Sequence, residues 1–223
     1  MIILQCSPKA GGVSDTVAEI FACGVTQAGC GVRRVALRDY SITPCAGCLA
    51  CSCPPHDCVL ERHDGSPDRA EEIFSLLRNA SALFIAAPIY FYALPAHFKA
   101  LIDRSQRFWA AQESDVLSQG YEASAIPVIP ALTAGRKRGR RLFTGAVLTL
   151  TYFTRAFGAA LEKPLLLRGL DAPEEFLRRR AVCVAIENLG RHWGKALMLG
   201  TTPESPRPCP DALHTLLHAR KRS

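Results

Sequence analysis

The sequence groups five of its cysteines in one short stretch, and their spacing suits the binding of a metal or a cluster. In the pattern Cys45-x2-Cys48-x2-Cys51-x6-Cys58, three thiols recur at steps of three residues, and Cys53 lies inside the last gap. Iron–sulfur clusters are held by thiolates in similarly compact runs. Zinc sites more often use two pairs of ligands separated by a longer spacer. The spacing therefore favours a cluster, with zinc or free redox thiols as the alternatives.

A second candidate site lies between a short apolar run and a helical pattern near the start of the chain. It combines small residues, hydroxyls and a lysine with the unpaired backbone N–H groups of a helix start, which favour a phosphate. It is neither a Walker A loop nor a Gly-x-Gly-x-x-Gly loop. The alternative is an ordinary glycine turn in which Ser14 or Thr16 caps the helix. The candidate residues are Ser7, Lys9, Gly11, Gly12, Val13, Ser14, Asp15 and Thr16.

A third candidate site runs from Pro88 to Pro95, directly after a continuous apolar run, and it contains three aromatic residues. Aromatic side chains at the end of a buried strand can stack on a flat conjugated ring. The alternative is that they only extend the hydrophobic core. The candidate residues are Pro88, Ile89, Tyr90, Phe91 and Tyr92.

Strand and helix patterns alternate along the chain, which favours an open parallel sheet with helices on both faces. Ligands of such sheets bind at the carboxyl ends of the strands. Pro127 and Pro130 predict that the fourth strand is short or irregular, because proline cannot donate to the ladder. The predicted strands are Ile2–Gln5, Val32–Leu37, Ala82–Ala87, Ala123–Thr133 and Lys163–Leu167. Two of the predicted helices start at Ser14 and at Ser66-Pro67. Two more are predicted over Pro95–Phe108 and Arg140–Phe157. The last is predicted from an Asp171–Glu174 capping box to Trp193.

The amino-acid composition indicates the general class of protein and the cellular compartment in which we expect it. Of 223 residues, 48% are hydrophobic and 21% are charged, as in a globular protein that can bury a core. No stretch reaches the roughly 18 apolar residues of a membrane span, and no signal peptide is recognisable. We therefore expect a cytoplasmic protein without a membrane partner. In a reducing compartment its 10 cysteines are better explained as metal, cluster or redox residues than as disulfides.

The order of these loops resembles the NADPH-dependent FMN reductase branch of the flavodoxin-like superfamily. The segments that carry the resemblance are Ser7-Pro8-Lys9, then Gly12–Thr16, then Pro88-Ile89-Tyr90 ending in Pro95. The resemblance implies a flavodoxin-like α/β fold with a doubly wound parallel five-stranded sheet in the order 2-1-3-4-5. It also implies FMN, with the phosphate in the first loop and the isoalloxazine against the Pro-x-Tyr loop. A third loop would touch the flavin edge through Thr133, Ala134 and Gly135.

The cysteine loop further resembles that of the iron–sulfur flavoproteins, a subgroup of the same branch. This resemblance implies a [4Fe–4S] cluster on Cys45, Cys48, Cys51 and Cys58, with Cys53 as an alternative ligand. It also implies a homodimer or homotetramer in which the cluster of one subunit approaches the FMN of another. We predict an FMN-binding domain over residues 1–200 with its cysteine loop at 44–58, followed by a tail at 201–223. No side chain is predicted to be catalytic, because the two cofactors carry the electron transfer.

Five cations between Arg136 and Arg141 add to a formal net charge of +7. They suit an anionic partner such as a ferredoxin or NAD(P)H, and a solvated basic loop is the alternative. Two other functions remain open. One is an NAD(P)H-dependent FMN or quinone reductase without a cluster. The other is a zinc-stabilised module that uses the basic loop on nucleic acid, but the order of the loops argues against it, so we expect no nucleic-acid partner.

Overall fold

The computed structural model describes residues 1–61, 67–116 and 126–202. Its strands are β1 (Ile2–Gln5), β2 (Arg33–Ala36), β3 (Leu83–Pro88), β4 (Ile126–Ala134), β5 (Ala159–Leu161) and β6 (Leu165–Arg168). Its α-helices are α1 (Val13–Gln27), α2 (Ala70–Arg78), α3 (Ala96–Arg104), α4 (Gln106–Val116), α5 (Thr144–Arg155), α6 (Pro173–Leu177) and α7 (Arg180–Met198). Single turns of 3-10 helix cover Leu37–Asp39, Ala50–Ser52 and Val59–Glu61. Among these described helices, none has the length and apolar character needed to span a bilayer.

The strands form one parallel sheet in the order β2-β1-β3-β4-β5, which confirms the predicted flavodoxin-like order. The fifth position is shared by two short strands. β5 pairs with Ile126–Val128 and β6 pairs with Ala131–Ala134 of the same neighbour, β4. The sequence predicted only the second of them, because the three residues of β5 are too few to show a periodic pattern.

β4 contradicts the prediction of a short or irregular strand, since it is continuous over nine residues. The backbone of Val128 faces the fifth position, where its carbonyl accepts the Glu162 N–H at 2.8 Å. Pro130, two residues further on, faces the same side and lies opposite the gap between β5 and β6. Pro127 precedes the first residue paired with β3. Both prolines therefore occupy positions that need no donor. Residues 123–125 of the predicted strand lie outside the described residues.

Alternating residues of the strands feed two hydrophobic cores, one on each face of the sheet. Leu4 and Ile85 face α2, α3 and α5, where the largest buried rings belong to Phe74, Phe98 and Phe153. Ile3 and Phe84 face α1, α6 and α7, where Phe21 stacks on Phe84 with ring centroids 3.9 Å apart. The sheet is thus covered on both faces, as the near-continuous apolar strands predicted.

Several predicted helices are shorter than expected or divided. The helix expected over Pro95–Phe108 is two helices that meet at Ser105. The helix expected from Asp171 to Trp193 is divided into α6 and α7, and the capping box is wrong because Ala172 is the N-cap and no side chain caps it. The helix expected at Ser66-Pro67 begins at Ala70. Ser66 and most of the predicted tail, residues 203–223, lie outside the described residues.

Helices α1 and α7 approach so closely that glycine is required at their contact. A Cβ atom at Gly24 would overlap the carbonyl oxygen of Glu187, and one at Gly190 would overlap the carbonyl oxygen of Phe21. A Cβ at Gly194 would lie 2.8 Å from the carbonyl oxygen of Val25. This contact fixes α7 against the helix whose first turn faces the carboxyl edge of the sheet.

We predict that Gly190→Ala lowers the free energy of unfolding by about 1–3 kcal/mol, the range found for overpacked cores. Alanine stabilises a helix by about 1 kcal/mol relative to glycine. Any loss of unfolding free energy must therefore come from the clash with Phe21. Gly31→Ala is the control, because nothing lies within 4 Å of a Cβ there. Urea unfolding measures both, and a Gly190→Ala variant as stable as the parent would contradict the close contact.

Candidate functional site

The three loops predicted to bind a cofactor leave the same edge of the sheet, because β1, β3 and β4 are parallel neighbours. β1 and β3 lie side by side where the strand order reverses, which is the switch point at which such sheets bind ligands. The cysteine loop follows β2, the other neighbour of β1, and therefore also begins at this edge. One edge of the sheet thus carries every loop that the sequence singled out.

The first loop presents an uncapped helix start. Gly12 is the N-cap of α1 with an extended backbone, and neither Ser14 nor Thr16 caps the helix as an ordinary turn would require. Ser7 closes the loop instead, since its Oγ accepts from the Lys9 N–H at 3.1 Å and donates to the Lys9 carbonyl at 2.9 Å. The Lys9 side chain is exposed. The loop therefore combines a helix N-terminus with a free cation, as an anion site requires.

Asp15 does not present its negative charge to this anion site. Its carboxylate is buried, accepts the Gly11 N–H at 2.9 Å, and forms an ion pair of 3.1 Å with Arg38. Arg38 also donates to the Ser7 carbonyl at 3.2 Å. The negative charge of Asp15 is thus compensated by Arg38, and this ion pair stabilises the conformation of the loop. The sequence missed Arg38 because it lies 23 residues from Asp15.

The second loop is a strained aromatic turn. Tyr90 and Ala93 exchange backbone hydrogen bonds of 3.0 and 2.9 Å across Phe91 and Tyr92, whose φ angles are +48° and +65°. A turn with two positive φ angles normally uses asparagine and glycine, and a left-handed conformation costs other residues roughly 1–2 kcal/mol each. Phe91 is nevertheless fully exposed. Backbone strain that presents an aromatic ring to solvent is typical of a binding loop.

The third loop supports the second. The Thr133 carbonyl accepts the Ile89 N–H at 2.7 Å, and Arg136 Nη1 donates to the Tyr92 hydroxyl at 2.7 Å. The Arg136 guanidinium also lies 5.6 Å from the centroid of the Tyr92 ring. One cation of the basic loop is therefore engaged in positioning the aromatic turn.

Gly135, at the end of β4, is required by a close approach. A Cβ atom there would overlap the carboxylate of Asp171. The sequence had assigned Asp171 to a helix cap, whereas its side chain lies against the third loop. Its backbone N–H donates to Glu175 Oε2 at 3.2 Å.

The cysteine loop encloses a cavity of about 30 Å³ that is bordered by four thiols. The cysteines at this cavity are Cys45, Cys48, Cys51 and Cys58. Cys53 is exposed and does not line it. Of the five cysteines in the loop, the structure thus groups the four that the sequence favoured as ligands.

The same four thiols form one electrostatic group. Burial raises the pKa of the Cys51 thiol, and the charges of Cys58, Cys45 and Cys48 raise it further. Like charges in one site disfavour one another, so four thiolates here need a cationic partner.

Arg104 clamps both ends of the cysteine loop. Its side chain is completely buried, and it donates to the Thr43 carbonyl, to Asp68 and to Glu61, each at 3.0 Å. Thr43 precedes the first cysteine of the loop by two residues, and Glu61 follows the last one by three. One guanidinium group therefore joins the two ends of the cysteine loop, which is irregular apart from single turns of 3-10 helix.

Arg107 completes the ionic network. It donates to Glu61 Oε2 at 2.6 Å and to Glu71. Burial disfavours the charged forms of Asp68 and Arg104, but the hydrogen bonds that these groups make outweigh this effect. The pKa of Asp68 is therefore lowered and that of Arg104 is raised. Both groups are thus ionised at neutral pH, and the clamp is an ion pair.

The four thiols are donors of the kind that hold an iron–sulfur cluster. In the described ranges, no group of three His, Cys, Asp or Glu side chains is arranged to hold a metal ion. His56 donates from Nδ1 to the Cys51 carbonyl at 3.0 Å, and it does not line the cavity.

Comparison with known proteins agrees with this arrangement. The chain is 35% identical over 71 residues to an iron–sulfur flavoprotein from Methanosarcina thermophila, covering 32% of this chain and 34% of the relative. It is 26% identical over 110 residues to an iron–sulfur flavoprotein from Methanocaldococcus jannaschii, covering 48% and 51% of the two chains. The matches thus span between a third and a half of these curated relatives.

The fold is shared with an FMN-dependent NADH-azoreductase from Bacillus anthracis solved in complex with FMN. That structure superposes with a TM-score of 0.57 at 12% identity, covering 86% of this chain and 98% of the azoreductase. The sequence profile of NADPH-dependent FMN reductases matches residues 1–153. These residues include all three loops at the carboxyl edge and the whole cysteine loop, and the chain belongs to the NADPH-dependent FMN reductase family.

Proposed function

We propose that the chain is an FMN-dependent oxidoreductase that also holds a [4Fe–4S] cluster and exchanges electrons between single-electron carriers and a flavin. The observation that carries this proposal is the grouping of four cysteines on one cavity, in a loop that starts beside the flavin loops of an FMN reductase fold. A cluster passes one electron at a time and a flavin accepts one or two, so together they can join the two kinds of carrier.

The first loop would hold the FMN phosphate. The uncapped N-terminus of α1 offers backbone donors, Lys9 offers a cation, and the Asp15–Arg38 pair keeps the loop in shape without a net charge of its own. The azoreductase that shares this fold was solved with FMN bound. The fold that this chain shares with the azoreductase supports FMN as the cofactor, whereas the assignment of individual residues to FMN is our own proposal.

The aromatic turn and the third loop would hold the isoalloxazine. Tyr90, Phe91 and Tyr92 offer flat apolar rings, and Arg136 fixes the last of them. Thr133, Ala134 and Gly135 lie at the end of β4, the strand next to β3. Their backbone would line the flavin edge and exclude water from one side of the ring.

Cys45, Cys48, Cys51 and Cys58 would hold the cluster, with Arg104 closing the loop around it. The names of the two curated relatives support this choice. An FMN or quinone reductase without a cluster is the second candidate, favoured by the family description alone. A zinc-stabilised module is not favoured, because the loops follow the order of an FMN reductase fold.

We further propose a homo-oligomer in which a second subunit covers apolar side chains of α6 and α7. Leu177 and Val184 are half exposed, at 50% and 54%. Trp193, further along α7, is buried in the core that α7 shares with α1. The donor of electrons in this proposal is a ferredoxin or NAD(P)H, and the free cations of the basic loop suit either.

Lys9→Ala should weaken FMN binding about tenfold, because a charge-assisted contact to phosphate contributes on the order of 1.5 kcal/mol. Riboflavin lacks the phosphate, so its affinity should stay unchanged. Lys163→Ala, another exposed lysine of the described chain, is the control. Flavin fluorescence quenching measures both ligands, and equal weakening of FMN and riboflavin would show that the first loop does not bind the phosphate.

Serine in place of Cys45, Cys48, Cys51 or Cys58 should lower iron and sulfide content after anaerobic purification while flavin stays bound. Cys53→Ser and Cys23→Ser should keep the parent's iron content, because neither thiol lines the cavity. Metal and sulfide analysis with a visible spectrum gives the result. If Cys53→Ser removes the iron and Cys58→Ser does not, the assignment of the fourth ligand is wrong.

Val184→Glu should dissociate the proposed oligomer, since it would place a charge in an apolar contact. Lys195→Glu, an exposed position on the same helix, should leave assembly unchanged. Light scattering on cofactor-loaded protein measures the mass. A parent chain that is a monomer and still passes electrons from cluster to flavin would rule out a functional oligomer.

A further inference from the structure

Two buried guanidinium groups at the cysteine cavity each keep one donor without an acceptor. In the described part of the chain, the buried side-chain nitrogen and oxygen atoms that lack a hydrogen-bond partner are the Nε atoms of Arg104, Arg107 and Arg168. Arg104 and Arg107 both line the cavity that the four cysteines border. Leaving a buried donor unpaired destabilises a fold, so two such donors in residues at one cavity require an explanation.

The rest of each guanidinium group is engaged. Arg104 uses its Nη atoms on Thr43, Asp68 and Glu61, and Arg107 uses its own on Glu61 and Glu71. The side chains are therefore held in place, and rotation of either one to satisfy Nε would break an ion pair. The cavity that both arginines line is also bordered by Asp103, which pairs with Lys99, by Gln106, and by apolar groups such as Leu49 and Val59.

We propose that Arg104 and Arg107 are positioning residues for the cluster, and that their Nε–H groups donate hydrogen bonds to its sulfur atoms. This assignment rests on the proposed function, since it needs a cluster on Cys45, Cys48, Cys51 and Cys58. Sulfur is the acceptor that such a cluster would bring to both donors at once. Hydrogen bonds to cluster sulfurs stabilise the more negative, reduced form and so raise the reduction potential.

The expected effect on the reduction potential comes from the Nε–H donors more than from the net charge of the two arginines. Three carboxylates, from Glu61, Asp68 and Glu71, surround the two guanidinium groups, so their positive charges are already compensated. A lysine at either position would keep a cation for these carboxylates but has no Nε donor. Arginine-to-lysine variants therefore separate the two contributions while leaving fewer buried charges unpaired than an apolar residue would.

The test uses Arg107→Lys as the main variant, because Arg107 lies at the rim of the network, and Arg104→Lys as the second. Arg34→Lys, at an exposed ion pair with Glu19, is the control. Iron and sulfide are measured first, and the potential of the cluster is then followed by EPR during a redox titration. We expect normal iron in Arg107→Lys and a tenfold shift of its redox equilibrium toward the oxidised form, about 59 mV for one electron. The control should match the parent.

A second readout does not depend on the variants folding equally well. Resonance Raman bands of iron–sulfur stretching should shift when the loaded parent is moved into D₂O, because deuterium replaces the donated protons. The shift should be smaller in Arg107→Lys. Loaded variants with the parent's potential and the parent's D₂O shift would overturn this assignment alone. A parent chain that takes up no cluster under anaerobic reconstitution would overturn the proposed function and this assignment with it.

Discussion

The parallel pairing of β1 with both of its neighbours is the constraint on which the site depends. Ile2 to Gln5 align with Arg33 to Ala36 on one side and with Leu83 to Ala86 on the other. Because all three strands run in one direction, the first loop, the cysteine loop and the aromatic turn leave the sheet at one edge. A slip of one residue in β1 would exchange the side chains of Ile3 and Leu4 between the two cores, so burial fixes the register.

Two different kinds of interaction then shape the loops at this edge. The second and third loops are held by short backbone contacts, such as Ile89 to Thr133, and by a glycine at position 135 that leaves room for the Asp171 carboxylate. The cysteine loop has only single turns of 3-10 helix, and its cysteines are mostly exposed. Buried ion pairs to Arg104 close it instead. Breaking a buried pair from one side costs several kcal/mol, so this closure is stiff although the loop itself is irregular.

The parts of the fold that the sequence predicted are those set by local pattern. Apolar runs located the strands, and the four cysteines that the resemblance implied as ligands border one cavity. The parts it missed depend on partners that are distant in the chain. Arg38 meets Asp15 across 23 residues, and Arg104 meets Glu61 across 43. A single arginine in a helix carries no local sign of such a partner. β5 was missed for a related reason, since three residues have no periodicity to detect.

Several local costs of this structure lie at its candidate sites, whereas the unpaired Nε of Arg168 lies outside the cysteine cavity. Phe91 and Tyr92 adopt a left-handed backbone, and Arg104 and Arg107 keep buried donors unpaired. Elsewhere, β4 places its prolines where no donor is needed, and glycines occupy the tight contact of α1 with α7. Strain persists only where the surroundings over-determine it, and the two cores supply that rigidity on both faces of the sheet. A bound ring against the aromatic turn and sulfur acceptors at the cavity would each offset the cost found at that place. The strained turn and the unpaired donors therefore have a common explanation if the two proposed cofactors bind along one edge of the sheet.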